Sequence, residues 1–185
     1  MMKPTQIDGW VLADPKMARA ILTGRQRQMR VPLAAPLAAI ACEGAVIGLR
    51  EACVPGRRRS DGVEMATDRK RAEFVAFADG WRRDRSGRQW RAESPRDAAE
   101  KWLAAMHMPG WATRAQLVIE RRTTCRLRAI GAEELVAEGY RTLLPLAFWS
   151  RRRFAARWDV LHPQCGLRWA DDPEVAVLRF RTCRL

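Results

Sequence analysis

Apolar and polar positions along the chain fall into many short stretches rather than a few long ones. Asp14-Pro15 reads as an N-cap followed by proline at the first helical position, and Gly24 as the stop. Met17, Ala20 and Ile21 give the helix between them one apolar face. Residues 45–51 predict a strand. Residues 55–91 read as an irregular excursion with one short apolar strand at 74–78. Ser94-Pro95-Arg96-Asp97 resembles a capping box and predicts a helix to about Met106. Residues 116–121 and 124–130 predict two strands, and residues 132–138 a short helix ended by Gly139. Over residues 147–161, Phe148, Ala155, Trp158 and Leu161 recur at helical spacing, with Arg151 to Arg153 on the polar side. Residues 175–181 alternate like a terminal strand. Short strands punctuated by short helices predict an α+β or small barrel fold, and the βαβ rhythm of a doubly wound sheet is absent.

Length and composition add a class. The chain has 185 residues, 48% of them apolar, which suits one domain with a full core. Its formal charge is +13 and its isoelectric point about 11.0. Only four of the 34 basic residues are lysine (Lys3, Lys16, Lys70, Lys101). A GC-rich genome explains the arginine preference but not the excess of base over acid. Arginine's planar fork suits phosphate and stacks on bases, so the excess favours a nucleic-acid partner. The segment 55–91 is itself basic, with eleven bases against six acids.

Other classes recede. The start, Met1 to Trp10, lacks an apolar run of signal-peptide length. The most apolar stretch, Val31 to Leu49, is broken by Pro32, Pro36, Glu43 and Gly44, so no spanning helix and a cytoplasmic location are expected. Five cysteines without a C-x-x-C pair, with only His107 and His162 to assist, spell no metal site. No phosphate-loop, dinucleotide or nucleophile-elbow motif is present, so no cofactor is expected. His162 reads as a turn residue, and His107 as part of a loop that either packs or walls a pocket.

The densest candidate chemistry is Gly24-Arg25-Gln26-Arg27-Gln28-Met29-Arg30, with three guanidiniums and two amides. No acid lies between Lys16 and Arg30. Guanidinium and amide groups read phosphates and base edges together. A solvated helix C-terminus would favour the same bases through its dipole, and charge does not separate the two readings.

These residues carry a resemblance. Pro15-Lys16-Met17 through Ala20-Ile21-Leu22-Thr23-Gly24-Arg25, then Gln28 and Arg30, resembles the N-terminal motif of ASCH-domain proteins, which are PUA-like β-barrels. Members of this length often occur in phage and prophage. Leu49-Arg50-Glu51 is similar to the strand after that motif. His107-Met108-Pro109-Gly110-Trp111-Ala112-Thr113-Arg114 is similar to a loop of the phage-type subgroup, and residues 133–139 to its short acidic helix. The resemblance spans about residues 10–181 and is weakest over 55–106. It implies an α+β, PUA-like barrel with short flanking helices, a core of about 10–54 and 107–181, and a basic insertion between them.

The family is associated with RNA, and some small bacterial members hydrolyse the amide of N4-acetylcytidine. That site uses a Lys, a Thr and a Glu, and the matching positions here hold Gln26, Met29 and Glu138. An amide is no base and a thioether donates no proton, so only the carboxylate of that site persists. The resemblance therefore implies a binding module for RNA or a nucleotide, in a cleft between the first-helix motif and Glu138. Arg25, Arg27 and Arg30 would supply charge, Gln26 an amide, and Trp111 a stacking face or a core residue. Arg50, Glu51 and Arg114 would join from the matched strand and loop. A Glu138 carboxylate beside Arg50 is expected to stay ionised. The alternative is an RNA-related hydrolase with Glu138 as its acid or base. A third reading, a prophage accessory protein binding DNA or a host protein, has no DNA-reading helix motif behind it.

Overall fold

A computed structural model describes residues 6–62, 64–95, 101–140 and 147–185. The fold is mixed α+β, as the sequence pattern predicts. Among the described residues ten strands fall into two five-stranded sheets, the first in the order β1-β3-β9-β10-β2 and the second β5-β4-β6-β7-β8. The first is built from β1 (Gly9–Ala13), β2 (Gln28–Pro32), β3 (Val46–Glu51), β9 (Ala115–Arg126) and β10 (Glu174–Arg184). The second contains β4 (Cys53–Arg58), β5 (Glu64–Ala66), β6 (Phe74–Phe77), β7 (Trp81–Asp84) and β8 (Gln89–Arg91). The α-helices among the described residues are α1 (Pro15–Leu22), α2 (Pro36–Ile40), α3 (Ala132–Ala137) and α4 (Ala147–Leu161). Among the described residues no helix is long and apolar enough to cross a membrane.

The chain divides into two compact units. One comprises Met1–Gly9, Ala20–Ile47 and Leu117–Cys183, and the other Trp10–Arg19, Gly48–Gln116 and Arg184–Leu185. In the first, α3 and α4 close over Leu127, Ile130, Leu135, Phe154, Trp158 and Val175, with Tyr140 and Trp169 against the edge. Phe154 and Trp158 stack at 6.2 Å, and the Trp158 indole donates to the Leu167 carbonyl, so both rings pack without an orphaned donor. In the second, Cys53, Val75, Phe77, Met108 and Ala112 form the core, with Leu103 and Trp111 beside it. Burial pushes the Cys53 thiol up to about 12, with Glu51 adding to the shift, so it is an apolar filler rather than a nucleophile.

Local signals set several boundaries. Asp14 accepts the Met17 N–H at 2.8 Å, and Gly24 takes φ 71° where α1 ends. Other expectations are corrected. The described residues of 55–91 are not an irregular excursion but pair into an antiparallel sheet in which β4 lies between β5 and β6. Its strands are short and rich in arginine, and one of those arginines is buried: Arg82 bonds Glu64 and the Gly80 and Glu93 carbonyls. The pattern at 116–130 is one long strand and a 3₁₀ turn, Leu127–Ala129, instead of two strands. Of the helix expected to reach Met106, residues 96–100 lie outside the described residues. Beyond them Leu103 pairs both ways with the Cys53 backbone, which holds the chain extended until a 3₁₀ turn at Ala105–His107. In α4 the inner face is Phe154 and Trp158, whereas Phe148 and Leu161 are exposed.

Gly56 on β4 faces Phe74 on β6 across the sheet, and Phe74 is fixed edge-on against Trp90 at 5.4 Å. A Cβ at Gly56 would overlap that ring. Gly56→Ala should cost about 1–3 kcal/mol through overpacking, measured as a lower urea midpoint. An unchanged midpoint would show that the ring is free to move.

Candidate nucleic-acid interface at strand β2

The turn after α1 delivers the Gly24–Arg30 segment onto the end of α3. Gln26 N–H donates to the Ala20 carbonyl and Arg27 N–H to that of Ala137, at 3.0 and 2.8 Å. Gly139, at φ 88°, ends α3 here, and a Cβ on it would lie 3.3 Å from Gln26 Cβ. Glycine thus serves twice, for the left-handed turn and for close approach. An isolated antiparallel bridge joins Gln26 to Glu138.

Strand alternation does the rest. Gln26, Gln28 and Arg30 share one face, and Met29 turns to the opposite face, where it is buried. All three polar side chains are buried too. Arg30 Nη1 donates to Glu138 Oε1 at 2.9 Å, and its Nη2 lies 3.0 Å from Glu134 Oε2. Glu134 Oε2 also accepts the Gly131 N–H at 2.9 Å, which caps α3. Gln28 Nε2 reaches Glu138 Oε1 at 3.5 Å, a long contact, while its Oε1 accepts from Arg179 Nε at 3.1 Å. Gln26 Nε2 donates to the Gln28 carbonyl at 3.1 Å. The network runs without interruption from Arg179 on β10 to the start of α3. Arg30 Nε and Nη2 have no aligned hydrogen-bond acceptor among the described residues, so the Glu134 contact is electrostatic.

One guanidinium here faces two carboxylates. Burial pushes Glu138 up to about 7; Arg30 opposes this through charge and hydrogen bonding, and Glu134 adds to it. The sequence expectation that an adjacent arginine holds Glu138 ionised is therefore corrected, since desolvation outweighs it. The neighbouring arginine is Arg30, buried with it in the same unit.

Four exposed arginines lie along β2, β10 and the approach to them, and not all on one face: by the same alternation Arg27 falls on the Met29 side, whereas Arg179 and Arg181 fall on the Gln28 side. Arg25 and Arg27 are exposed on the approach to β2. On β10, Arg179 sits opposite Gln28, and Arg181 follows two residues later on the same face, both exposed. Among the described residues none of these four arginines is paired with a carboxylate.

The other candidate residues lie in the second unit. Arg114 grips Glu51 through two bonds of 2.8 and 2.7 Å and reaches Asp79 at 2.8 Å, with its guanidinium 4.1 Å from the Phe77 ring centroid. Arg114 and Glu51 are buried, and each compensates the other's charge. Arg50 lies over the Trp10 ring at 4.1 Å and donates to the Met106 carbonyl. Trp111 is half-buried against the core, its carbonyl taken by Arg83 and its ring 5.6 Å from Arg85. The structure thus brings together Gln26, Arg30 and Glu138, with Arg25 and Arg27 beside them. Sequence reasoning did not single out Glu134, Arg179 and Arg181, which the structure places in or beside this network. The alternation of β10, which puts Arg179 and Arg181 on one face, was the available signal.

Comparison with known proteins adds one likeness. No protein-family model matches the chain, and no curated protein matches it. Among solved structures it is similar to the ASCH domain from Lactobacillus crispatus JV V101, at 11% identity and a TM-score of 0.41, covering 94% of this chain and 78% of that one.

A carboxylic acid whose folded pKa is raised stabilises the fold below its unfolded value, and that stabilisation is lost as pH rises to the folded one. For Glu138 the window runs from 4.5 to about 7. Relative to Glu138→Gln, which does not titrate, the wild-type protein should lose on the order of 3 kcal/mol across that window and then level off. Urea titrations of both proteins at a series of pH values measure the difference. A difference independent of pH would mean that Glu138 is ionised throughout.

Proposed function

We propose that the chain is an ASCH-type, PUA-like module that binds RNA or a nucleotide at the β2–β10 face, with no catalytic step. The observation that carries this reading is the set of exposed arginines, Arg25, Arg27, Arg179 and Arg181, along the β2–β10 pair and its approach, beside a buried amide–carboxylate network. Exposed guanidiniums without acidic partners stabilise phosphate, and they gain most where a rigid scaffold fixes them. The network supplies that rigidity: Gln28 orients Arg179, and the Gln26 backbone bridges to Glu138. The formal charge of +13 supports the same partner class.

If these four arginines meet about four phosphates of a single strand, the log–log salt slope should be about −3. Fluorescence-anisotropy titration of a labelled single-stranded RNA measures it. Replacing all four with glutamine should weaken binding at low salt and flatten the slope. Absent binding by the wild-type protein at low salt, or a slope the variant leaves unchanged, would overturn this reading.

One observation favours a second reading, an RNA-related hydrolase. A carboxyl group raised to about 7 is suited to general acid–base work. Its surroundings argue against it. Gln26 donates to a backbone carbonyl and does not titrate as an acid or base, and Met29 faces away into the core. Glu138 is itself enclosed, with its side chain 6% exposed. N4-acetylcytidine should therefore not be turned over, since each missing acid or base role costs on the order of 10² to 10⁴ in rate. Release of cytidine at an ordinary enzymatic rate, followed by chromatography, would restore the hydrolase reading.

A further inference from the structure

Helix α4 divides its aromatic residues between two environments. Phe154 and Trp158 are 5% and 4% exposed in the core, whereas Phe148 and Trp149 are 62% and 58% exposed. Ring faces of this size seldom stay in water without a use. The two exposed rings are 5.9 Å apart with their planes at 76°. Arg152 stands between them, its guanidinium carbon 5.8 Å from the Phe148 centroid and 5.6 Å from that of Trp149.

Charge decides what such a surface fits. Arg151, Arg152, Arg153 and Arg157 face a single acid on the helix, Asp159, and Asp159 accepts the Trp169 N–H at 2.6 Å. Arg151 is engaged with the Arg128 carbonyl and the Trp169 ring. Arg152 and Arg153 are exposed and have no carboxylate partner among the described residues. An apolar protein surface seated on Phe148 and Trp149 would have to desolvate Arg152 between them. A nucleic acid uses both groups: bases stack on the rings, and guanidiniums meet phosphates or stack in turn.

We propose that the outer face of α4 is a stacking platform for unpaired bases of single-stranded RNA, with Phe148 and Trp149 as its rings and Arg152 and Arg153 as its phosphate contacts. This rests on the RNA-binding reading of the β2–β10 face and adds a second contact surface to it. The ring geometry selects the form of the strand. Planes 76° apart cannot continue one base stack, so neighbouring bases must splay, which an unpaired strand permits and a duplex resists.

The test compares a labelled single strand of roughly 12 nucleotides with the corresponding blunt duplex, by anisotropy. Phe148→Ala/Trp149→Ala should bind the single strand at least about tenfold more weakly and the duplex as the wild type does. Its melting temperature should be unchanged, because both rings lie outside the core. Trp149→Phe, which keeps a ring, should retain most of the affinity. A double variant that binds single strands like the wild type would overturn the platform while leaving the RNA reading of β2–β10 intact. A wild-type protein that binds no RNA would remove both. Equal losses on single strand and duplex would show that the rings meet no unpaired base. Loss of binding to phosphatidylserine vesicles, with RNA affinity unchanged, would instead make the face a membrane contact.

Discussion

Arg30 lies fully enclosed between Glu134 and Glu138, and one guanidinium cannot balance two carboxylates. Burial acts most strongly on Glu138, the more deeply enclosed acid, and Glu134 adds to it, which is why its proton is held to about 7 despite Arg30. The same contacts fix the polar face of β2 to α3, whose first turn Glu134 caps. Gln26 and Gln28 take their positions from this junction, and through Gln28 so does the exposed Arg179. A group that must either hold a proton or be left charged in a low-dielectric setting makes the junction sensitive to pH.

Arg114 in the other unit offers a contrast built from the same residue types. It too is placed between two carboxylates, but Nε, Nη1 and Nη2 all have aligned acceptors on Glu51 and Asp79. That cluster is closed. Arg30 has only Nη1 aligned, and its Nε and Nη2 keep unsatisfied donor capacity in a buried place. Two arginines of equal burial thus differ in role because of hydrogen-bond geometry. Composition treats them as identical.

The arginine excess consequently splits into groups with different physics. Arg30, Arg82 and Arg114 are buried and bonded, and they hold local structure together. Arg25, Arg27, Arg179 and Arg181 are exposed without acidic partners among the described residues, and Arg152 lies between exposed rings on α4. The latter groups present uncompensated charge to a polyanion.

The sequence by itself determined the elements whose signals are local. Asp14-Pro15 and Gly24 bound α1, Gly139 ends α3, and the helical spacing over 147–161 marks α4, because caps, proline and left-handed glycine act within a turn of the chain. It also placed the candidate chemistry in residues 24–30 and at Glu138, through a motif resemblance. Tertiary structure alone decided which arginines are buried, which face of α4 turns outward, and that the 55–91 segment pairs into a sheet. Those outcomes depend on partners distant in sequence: Glu134 and Glu138 for Arg30, Glu64 for Arg82, and β10 for the face that Gln28 presents. The proton on Glu138 belongs to the same class. Adjacent charge was legible in the chain, but the desolvation that outweighs it exists only once the unit is packed.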